Sequence, residues 1–302
     1  MTSLRIGEIL ADVFPAGVFN TVSGDDTAPF NVGSHLTVHP DVAKVSFTGS
    51  TRTGKKIYEA AGADLKRVTL ELGGNDPAIV RQDVDIAEAA AGVFQAAFAN
   101  TGQVCAAVKR VFVHEDVYDA FVTEITANAA KAVTGDGFAA GTQYGPLNNK
   151  MQFDRVSELV ADALANGATA TTGGAPVANT NGYFFQPTIL TNVNDKMRIV
   201  AEEQFGPALP IMPYKTDAEA IARANASEYG LSGSVWSKDE GKVVEMANAL
   251  EAGQIFTNSH GGRLDVPFGG FKQSGIGRVF GQGDIDAFTE TQTLQIKLPS
   301  KL

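Results

Sequence analysis

VAKVSFTGSTRTGKKIYEAAGADLKRVTLELGGNDPAIV, residues 42–80, is the stretch that decides the fold class. Short apolar runs alternate in it with one helical pattern, and glycine pairs separate them. The sequence places a strand at 42–48, a helix at 52–61, a strand at 68–72 and a further apolar run at 78–80. Strands that alternate with helices in this way predict layered α/β architecture.

The same alternation continues on both sides of this stretch. Upstream we predict a helix over 4–13, a strand over 17–22 and a helix over 30–38. Downstream we predict helices along 86–98, 116–133, 153–164 and 239–250, and strands at 230–236, 254–258 and 293–297. The glycines and proline of LGGNDP mark the best domain boundary. The expected division is 1–74, 75–273 and 274–302, with a strand-rich part before this boundary and a helix-rich part after it.

Composition limits the classes of function. The 302 residues carry a formal charge of −10, which disfavours nucleic acid and anionic membranes as partners. No apolar run is long enough for a membrane span, and the N-terminus does not resemble a signal peptide. A single cysteine and four histidines without HExxH spacing make a metal site improbable. One cysteine and no targeting signal predict a cytoplasmic protein.

Cys105 is the only cysteine, and it ends the string FANTGQVC. Two uses remain for it, as a small buried hydrophobe or as a nucleophile. Asn100, Thr101, Gly102 and Gln103 before it are polar or conformationally free, unlike a core run. A thiol in such a loop behind a helix favours covalent chemistry.

Four other strings admit both a structural and a functional interpretation. GSTRTGKK opens a helix after a strand, as phosphate sites do, but Lys56 replaces the hydroxyl of an ATP-binding loop; an ordinary capped helix start is the alternative. Glu71 in VTLELGG is either a salt-bridged strand carboxylate or a base whose pKa burial raises. EEQFGP and PFGGFKQSGIGR could be plain loops or could border a ligand. The alternating run TLQIK could form an edge strand of a sheet in the same chain or pair with a strand of another chain.

Taken together and in this order, FTGSTRTG, VTLELGGNDP, FANTGQVC, EEQFGP and PFGGFKQSGIGR resemble the signature segments of the NAD(P)-dependent aldehyde dehydrogenase superfamily. The resemblance implies an aldehyde-dehydrogenase-like α/β fold and oxidation of an aldehyde to a carboxylic acid. Cys105 would form a thiohemiacetal and then a thioester, and Glu71 would activate the water that hydrolyses it. It further implies NAD as cofactor, with NADP not excluded, and a homo-oligomer formed through the terminal strand. The matching cofactor positions are Thr48, Gly49, Ser50, Thr53, Leu72, Gly73, Glu203 and Phe205.

The chain also departs from the family pattern. We expect it to be truncated at its N-terminus relative to the family. The resemblance then implies the C-terminal half of an incomplete Rossmann-type cofactor domain in 1–74, a complete catalytic domain in 75–273, and a return segment with the oligomerisation strand in 274–302. An upstream asparagine that helps to hold the oxyanion has no counterpart here. The alternative is therefore a non-catalytic member that folds and associates but binds cofactor poorly.

Overall fold

The computed structural model describes residues 2–24 and 30–297. The chain divides into two compact units, one of Met1–Phe47 with Arg52–Thr69 and the other of Thr48–Thr51 with Leu70–Leu302. The predicted division at residues 74 and 273 remains a prediction.

The first unit contains two short helices and the larger part of a strand–helix–strand segment. Its elements are α1 (Thr2–Leu10), α2 (Val32–Val38), β1 (Lys44–Thr48), α3 (Thr51–Gly62) and β2 (Arg67–Glu71). Asn31 caps α2 by accepting a hydrogen bond from the Ser34 N–H at 2.8 Å. The strand–helix–strand order predicted from residues 42–72 is therefore confirmed.

The second unit is built on a seven-stranded sheet in the order β10-β9-β3-β4-β7-β6-β5. All neighbours in it are parallel except β5 and β6, which are antiparallel. Parallel strands need helical crossovers, and helices accordingly separate most of the strands along the chain. The strands are β3 (Asp76–Val80), β4 (Val108–His114), β5 (Thr169–Thr172), β6 (Thr188–Thr191), β7 (Ala208–Tyr214), β9 (Ser232–Trp236) and β10 (Gln254–Thr257).

Helices cover both faces of this sheet, because successive strand residues point to opposite sides. In β3, Ile79 belongs to one apolar cluster, whereas Ala78 and Val80 belong to the other. The first cluster includes side chains of α6 (Lys150–Ala165), α8 (Asp217–Asn225) and α9 (Glu240–Ala249). The second includes those of α4 (Ile86–Phe98) and α5 (Tyr118–Ala130). This three-layer arrangement confirms the predicted α/β class.

Short elements complete the second unit near the end of β2. β8 (Tyr229–Gly230) pairs with β11 (Phe271–Lys272), and β12 (Gly275–Ile276) pairs antiparallel with Glu71 and Leu70 of β2. The remaining helices are α7 (Arg198–Ala201) and α10 (Gly281–Ala287). The glycine-rich string at 267–278 thus forms β11 and β12, and β12 pairs with Glu71.

The predicted strand at 17–22 is wrong. These residues form no strand, and Val18 and Val22 are exposed, because an apolar run becomes a strand only where another strand pairs with it. Residues 293–297 join no sheet among the described residues, so the alternative of an edge strand paired within the same chain is wrong, whereas pairing with another chain stays a prediction. Across the described ranges, no helix is both long and apolar enough to cross a membrane.

Candidate active site

The loop that carries Cys105 begins with an abrupt change of backbone direction after α4. Asn100 and Thr101 have positive φ angles of 51° and 59°, and Gly102 follows with 72°. A Cβ on Gly102 would overlap the carbonyl oxygen of Gly206, so the loop packs directly on the backbone of the EEQFGP segment. Left-handed conformations in non-glycine residues cost energy and are retained where surrounding contacts impose them.

Side chains of the loop hold this conformation. The Asn100 amide donates to the Gln103 carbonyl at 3.1 Å, and the Gln103 amide donates back to the Asn100 carbonyl at 3.2 Å. Thr101 donates to the Gly145 carbonyl at 3.1 Å, and Asn148 donates its N–H to Gln103 Oε1 at 2.8 Å. The polar residues before Cys105 therefore hold the loop by hydrogen bonds within it and by hydrogen bonds to residues 145 and 148.

Cys105 itself is partly buried and forms no disulfide. Burial raises the pKa of its thiol above the ordinary value, and the negative charges of Asp76 and Glu203 add to that rise. Lys109 and the Ala106 backbone N–H act in the opposite direction. Because the thiolate is the nucleophilic form, these opposing charges set how much of it exists near neutral pH.

Glu71 lies at the end of β2, and its carboxylate is almost completely buried, with 4% of the residue exposed. Neither oxygen accepts a hydrogen bond from the described residues, and no ion pair among them includes Glu71, so the alternative of a salt-bridged strand carboxylate is wrong. Burial raises its pKa from 4.5 to about 7, Arg278 lowers it and Asp284 raises it. An unsatisfied carboxylate with this pKa is suited to take a proton near neutral pH.

The glycine-rich loop brings Arg278 to Glu71 and aligns the strand end. Gly275 pairs in register with Glu71 at a φ of 151°, where a Cβ would overlap the Leu70 carbonyl oxygen. Ser274, which is fully buried, accepts the Leu72 N–H on its carbonyl at 2.9 Å and the Gly230 N–H on its hydroxyl at 3.0 Å. This loop is therefore part of the site and not a plain connection.

Glu203, one of the predicted cofactor positions, lies against the residues that follow β2. Its Oε1 accepts the Gly74 N–H at 3.1 Å and pairs with Lys109 Nζ at 3.4 Å. Its Oε2 lies 2.5 Å from the place where a Cβ of Gly73 would stand, so only glycine fits there. Oε2 accepts no hydrogen bond from the described part of the chain, and it can therefore take the hydroxyls of a sugar diol.

The other predicted cofactor positions are distributed over several segments of the chain. Thr48 ends β1, Gly49 donates its N–H to the Glu71 carbonyl at 3.0 Å, and Ser50 precedes α3. Leu72 is buried. Phe205 is partly exposed and has a positive φ of 48°. Thr53 belongs to the first unit, in the first turn of α3.

Sequence reasoning missed a polar cluster next to the Cys105 loop. Ser232 donates to the Asp76 carboxylate, whose pKa burial raises to about 7. His260 Nε2 lies 2.8 Å from the Ala106 carbonyl and 3.4 Å from Ser232 Oγ. Burial lowers the pKa of His260 to about 4, so the ring is neutral and donates to Ala106. Lys109 was also missed, since nothing in the sequence indicates that it is buried.

Glu71 and Cys105 thus have separate sets of charged groups around them. Glu71 is influenced by Arg278 and Asp284, whereas Cys105 is influenced by Lys109, Asp76 and Glu203. Residues 72–76 link the two sets along the chain. They follow Glu71 directly, Gly74 donates its N–H to Glu203, and Asp76 begins β3. Among the residues that the structure describes, no group of histidine, cysteine and carboxylate side chains could hold a metal ion.

Comparison with known proteins places the chain among relatives of one kind. Residues 1–294 match the sequence model of the "Aldehyde dehydrogenase family". Aldehyde dehydrogenase 1A1 of Gallus gallus is 43% identical over 304 residues, a match that covers 100% of this chain and 59% of the relative.

Solved structures agree with this match. Betaine aldehyde dehydrogenase of Staphylococcus aureus, in complex with NAD+, is 36% identical with a TM-score of 0.92, over 95% of this chain and 58% of that chain. An NADP-dependent enzyme of E. coli is 39% identical with a TM-score of 0.92, over 96% and 60%. The chain therefore spans about 59% of the curated relative's length, and the α/β fold that the resemblance implies is confirmed.

Proposed function

The chain belongs to the aldehyde dehydrogenase family, and on that basis we propose that it oxidises an aldehyde to a carboxylic acid with NAD+ or NADP+. Cys105 is the nucleophile and Glu71 is the general base. The observation that carries the proposal is the Glu71 carboxylate, which is buried, accepts no hydrogen bond from any residue that the structure describes and has a pKa raised to about 7. A structural carboxylate would be paired.

The first step uses the thiol. Cys105 releases its proton to solvent, and its sulfur attacks the aldehyde carbonyl carbon, so that a C–S bond forms, the carbonyl π pair moves to oxygen and the thiohemiacetal arises as its alkoxide. The Ala106 N–H that lowers the pKa of the thiol favours the thiolate. The residues after β2 and Glu203 would hold NAD(P)+, which would supply a hydride acceptor, so that loss of hydride from the thiohemiacetal would leave a thioester on Cys105.

The second step uses the carboxylate. Glu71 takes a proton from water, the water oxygen bonds to the thioester carbonyl carbon, and the C–S bond breaks. Cys105 leaves as thiolate and the carboxylic acid is released. Because Glu71 must be ionised to accept the proton, this step speeds up as the pH rises through about 7.

Residues at the end of β2 fit a dinucleotide. The free Oε2 of Glu203 offers an acceptor to the ribose hydroxyls, and the absence of a side chain on Gly73 leaves room for that carboxylate. Phe205 offers a partly exposed ring to a flat group. We assign Thr48, Gly49, Ser50, Thr53 and Leu72 to the same cofactor as proposals from family resemblance.

Partners and location follow from the same family membership. The substrate is a small-molecule aldehyde, and the protein is proposed to form a homo-oligomer through residues 293–297. A cytoplasmic location remains a prediction from the sequence.

Formation of NADH or NADPH with a panel of aldehydes tests the proposal. We expect turnover in the wild type and none in Cys105→Ala, since no other cysteine can replace the nucleophile. Calorimetric titration with NAD+ separates the two functions considered from the sequence. Binding with turnover supports the enzyme, whereas absent binding with a folded chain supports the non-catalytic alternative.

A further inference from the structure

Lys109 is a buried cation for which the proposed chemistry has no step. It lies in β4, at the centre of the seven-stranded sheet, and only 3% of it is exposed. Burying an ammonium group is costly unless its donors are all used. The contacts of Lys109 therefore show what the fold gains by keeping it there.

Its contacts all lead to the proposed active site. The Nζ atom donates to the Val104 carbonyl at 2.9 Å and to the Cys105 carbonyl at 2.6 Å. It also pairs with Glu203 Oε1 at 3.4 Å. The Ala107 carbonyl lies 3.5 Å from the same atom, so four acceptors surround the three N–H donors of the ammonium. One buried charge thus joins the nucleophile loop to the carboxylate proposed to hold the ribose.

We propose that Lys109 is a positioning residue that locks the Cys105 loop onto Glu203 and keeps the thiol reactive while that carboxylate is in place. Two carbonyls of the loop cannot shift without breaking a charge-assisted hydrogen bond. The Glu203 carboxylate cannot rotate away without losing its ion pair with the Lys109 ammonium. The part that concerns the thiol stands independently, whereas the part that concerns cofactor binding rests on the proposed function.

Charge sign distinguishes this role from simple packing. The charged groups that face Cys105 are Lys109, Asp76 and Glu203, and His260 next to them is neutral. Lys109 lowers the pKa of the thiol, and Asp76 raises it. Removing the two charges one at a time should therefore move thiol reactivity in opposite directions. Damage to packing alone would move it in the same direction in both variants.

The experiment is the rate of alkylation of Cys105 by iodoacetamide as a function of pH. Cys105 is the only thiol, so the full-length chain needs no other change. We expect Lys109→Met to slow alkylation at pH 7 by roughly threefold to tenfold and to shift its pH profile upward. Asp76→Asn should accelerate alkylation and shift the profile downward. Lys109→Arg should stay near the wild type, because it keeps the charge.

Controls and contrary outcomes are defined by the same profile. Lys242→Met removes a surface lysine that pairs only with nearby Glu245, and it should leave alkylation unchanged. If Lys109→Met does not fold, Lys109→Gln replaces it, since an amide keeps two donors without charge. An unchanged profile in the neutral variant, or shifts of the same sign in the Lys109 and Asp76 variants, overturns the proposal.

Calorimetry with NAD+ tests the link to Glu203. We expect the neutral Lys109 variant to bind NAD+ several-fold more weakly than the wild type and than Lys242→Met. Equal affinities overturn the link. If the wild type itself binds no NAD+, the proposed function fails, and the alkylation profile still decides the role of Lys109 at the thiol.

Discussion

Glu71 combines a cost to stability with a proposed chemical use. Its pKa rises from 4.5 in the unfolded chain to about 7 in the fold, so the folded state holds the proton more tightly. Stability is therefore unaffected by this group below pH 4.5 and falls as the pH rises from 4.5 to 7. Above that window the ionised carboxylate costs up to about 3 kcal/mol.

Glu71→Gln should remove this pH-dependent cost. At pH 5 the free energy of unfolding of the variant should be close to that of the wild type. At pH 8 the variant should be more stable than the wild type by roughly 1–3 kcal/mol. Urea unfolding at the two pH values measures the difference. Glu88→Gln, at an exposed position of α4, is the matched control and should show no such pH dependence. A Glu71→Gln effect that is equal at both pH values would show that the carboxylate is not destabilised in the fold.

At the scale of single residues, the sequence revealed those that lie within distinctive strings. Cys105 and Glu71 could be proposed because their neighbours are unusual for a core cysteine and a strand carboxylate. Lys109 and Asp76 could not, since their importance comes from contacts with residues far along the chain. Asp76 meets Ser232, and Lys109 meets Glu203, across separations that no local pattern encodes.

β12 is the element on which the surroundings of Glu71 depend most directly. It consists of Gly275 and Ile276, and Gly275 has a φ of 151° and lies against the Leu70 backbone. Such a conformation is essentially restricted to glycine. A side chain at this position would push β12 away from the end of β2, where Glu71 is held.

Gly275→Ala should therefore destabilise the protein by roughly 2–4 kcal/mol and weaken any Glu71-dependent activity. Thermal and urea unfolding measure the loss. Gly283→Ala, in α10 with open space around it, is the control and should stabilise by about 0.5–1 kcal/mol. If both alanines have the same effect, the close approach of β12 to β2 is not important for stability.

Elements were predictable where periodicity was clean. Helices α4, α6 and α9 were predicted within a few residues because their apolar positions recur at helical spacing. β4 was missed, since Lys109 and Arg110 interrupt an otherwise apolar run although both are buried. Local pattern treats such charges as exposed, and only tertiary contacts reverse that interpretation.

For the whole molecule, the α/β class followed from the sequence but the strand order did not. β3 lies between β4, which follows it closely along the chain, and β9, which is far from it in sequence. This order depends on packing between distant segments. The motif strings nevertheless predicted the family, because several of them occur together in a fixed order. The family match over residues 1–294 confirms that prediction.

The proposed association through residues 293–297 can be judged from the exposure of their side chains. Leu294 and Ile296 are 80% and 70% exposed and alternate with Gln295 and Lys297. If this segment pairs with another copy, Leu294→Glu should lower the molecular mass measured by light scattering to that of one chain. Gln295→Glu, on the opposite side of an extended segment, should leave the mass unchanged. A wild type of one-chain mass, or equal masses in both variants, contradicts the proposed interface.

The proposal that Cys105 attacks and Glu71 hydrolyses is tested most directly by intact-mass spectrometry of Glu71→Gln mixed with NAD+ and an aldehyde. Without the base, the thioester should accumulate, and the protein should gain the mass of the acyl group on Cys105. Omitting NAD+, or replacing Cys105 by alanine, should abolish the gain. A Glu71→Gln protein that binds NAD+ yet acquires no acyl mass, or one that turns over as fast as the wild type, would contradict the account.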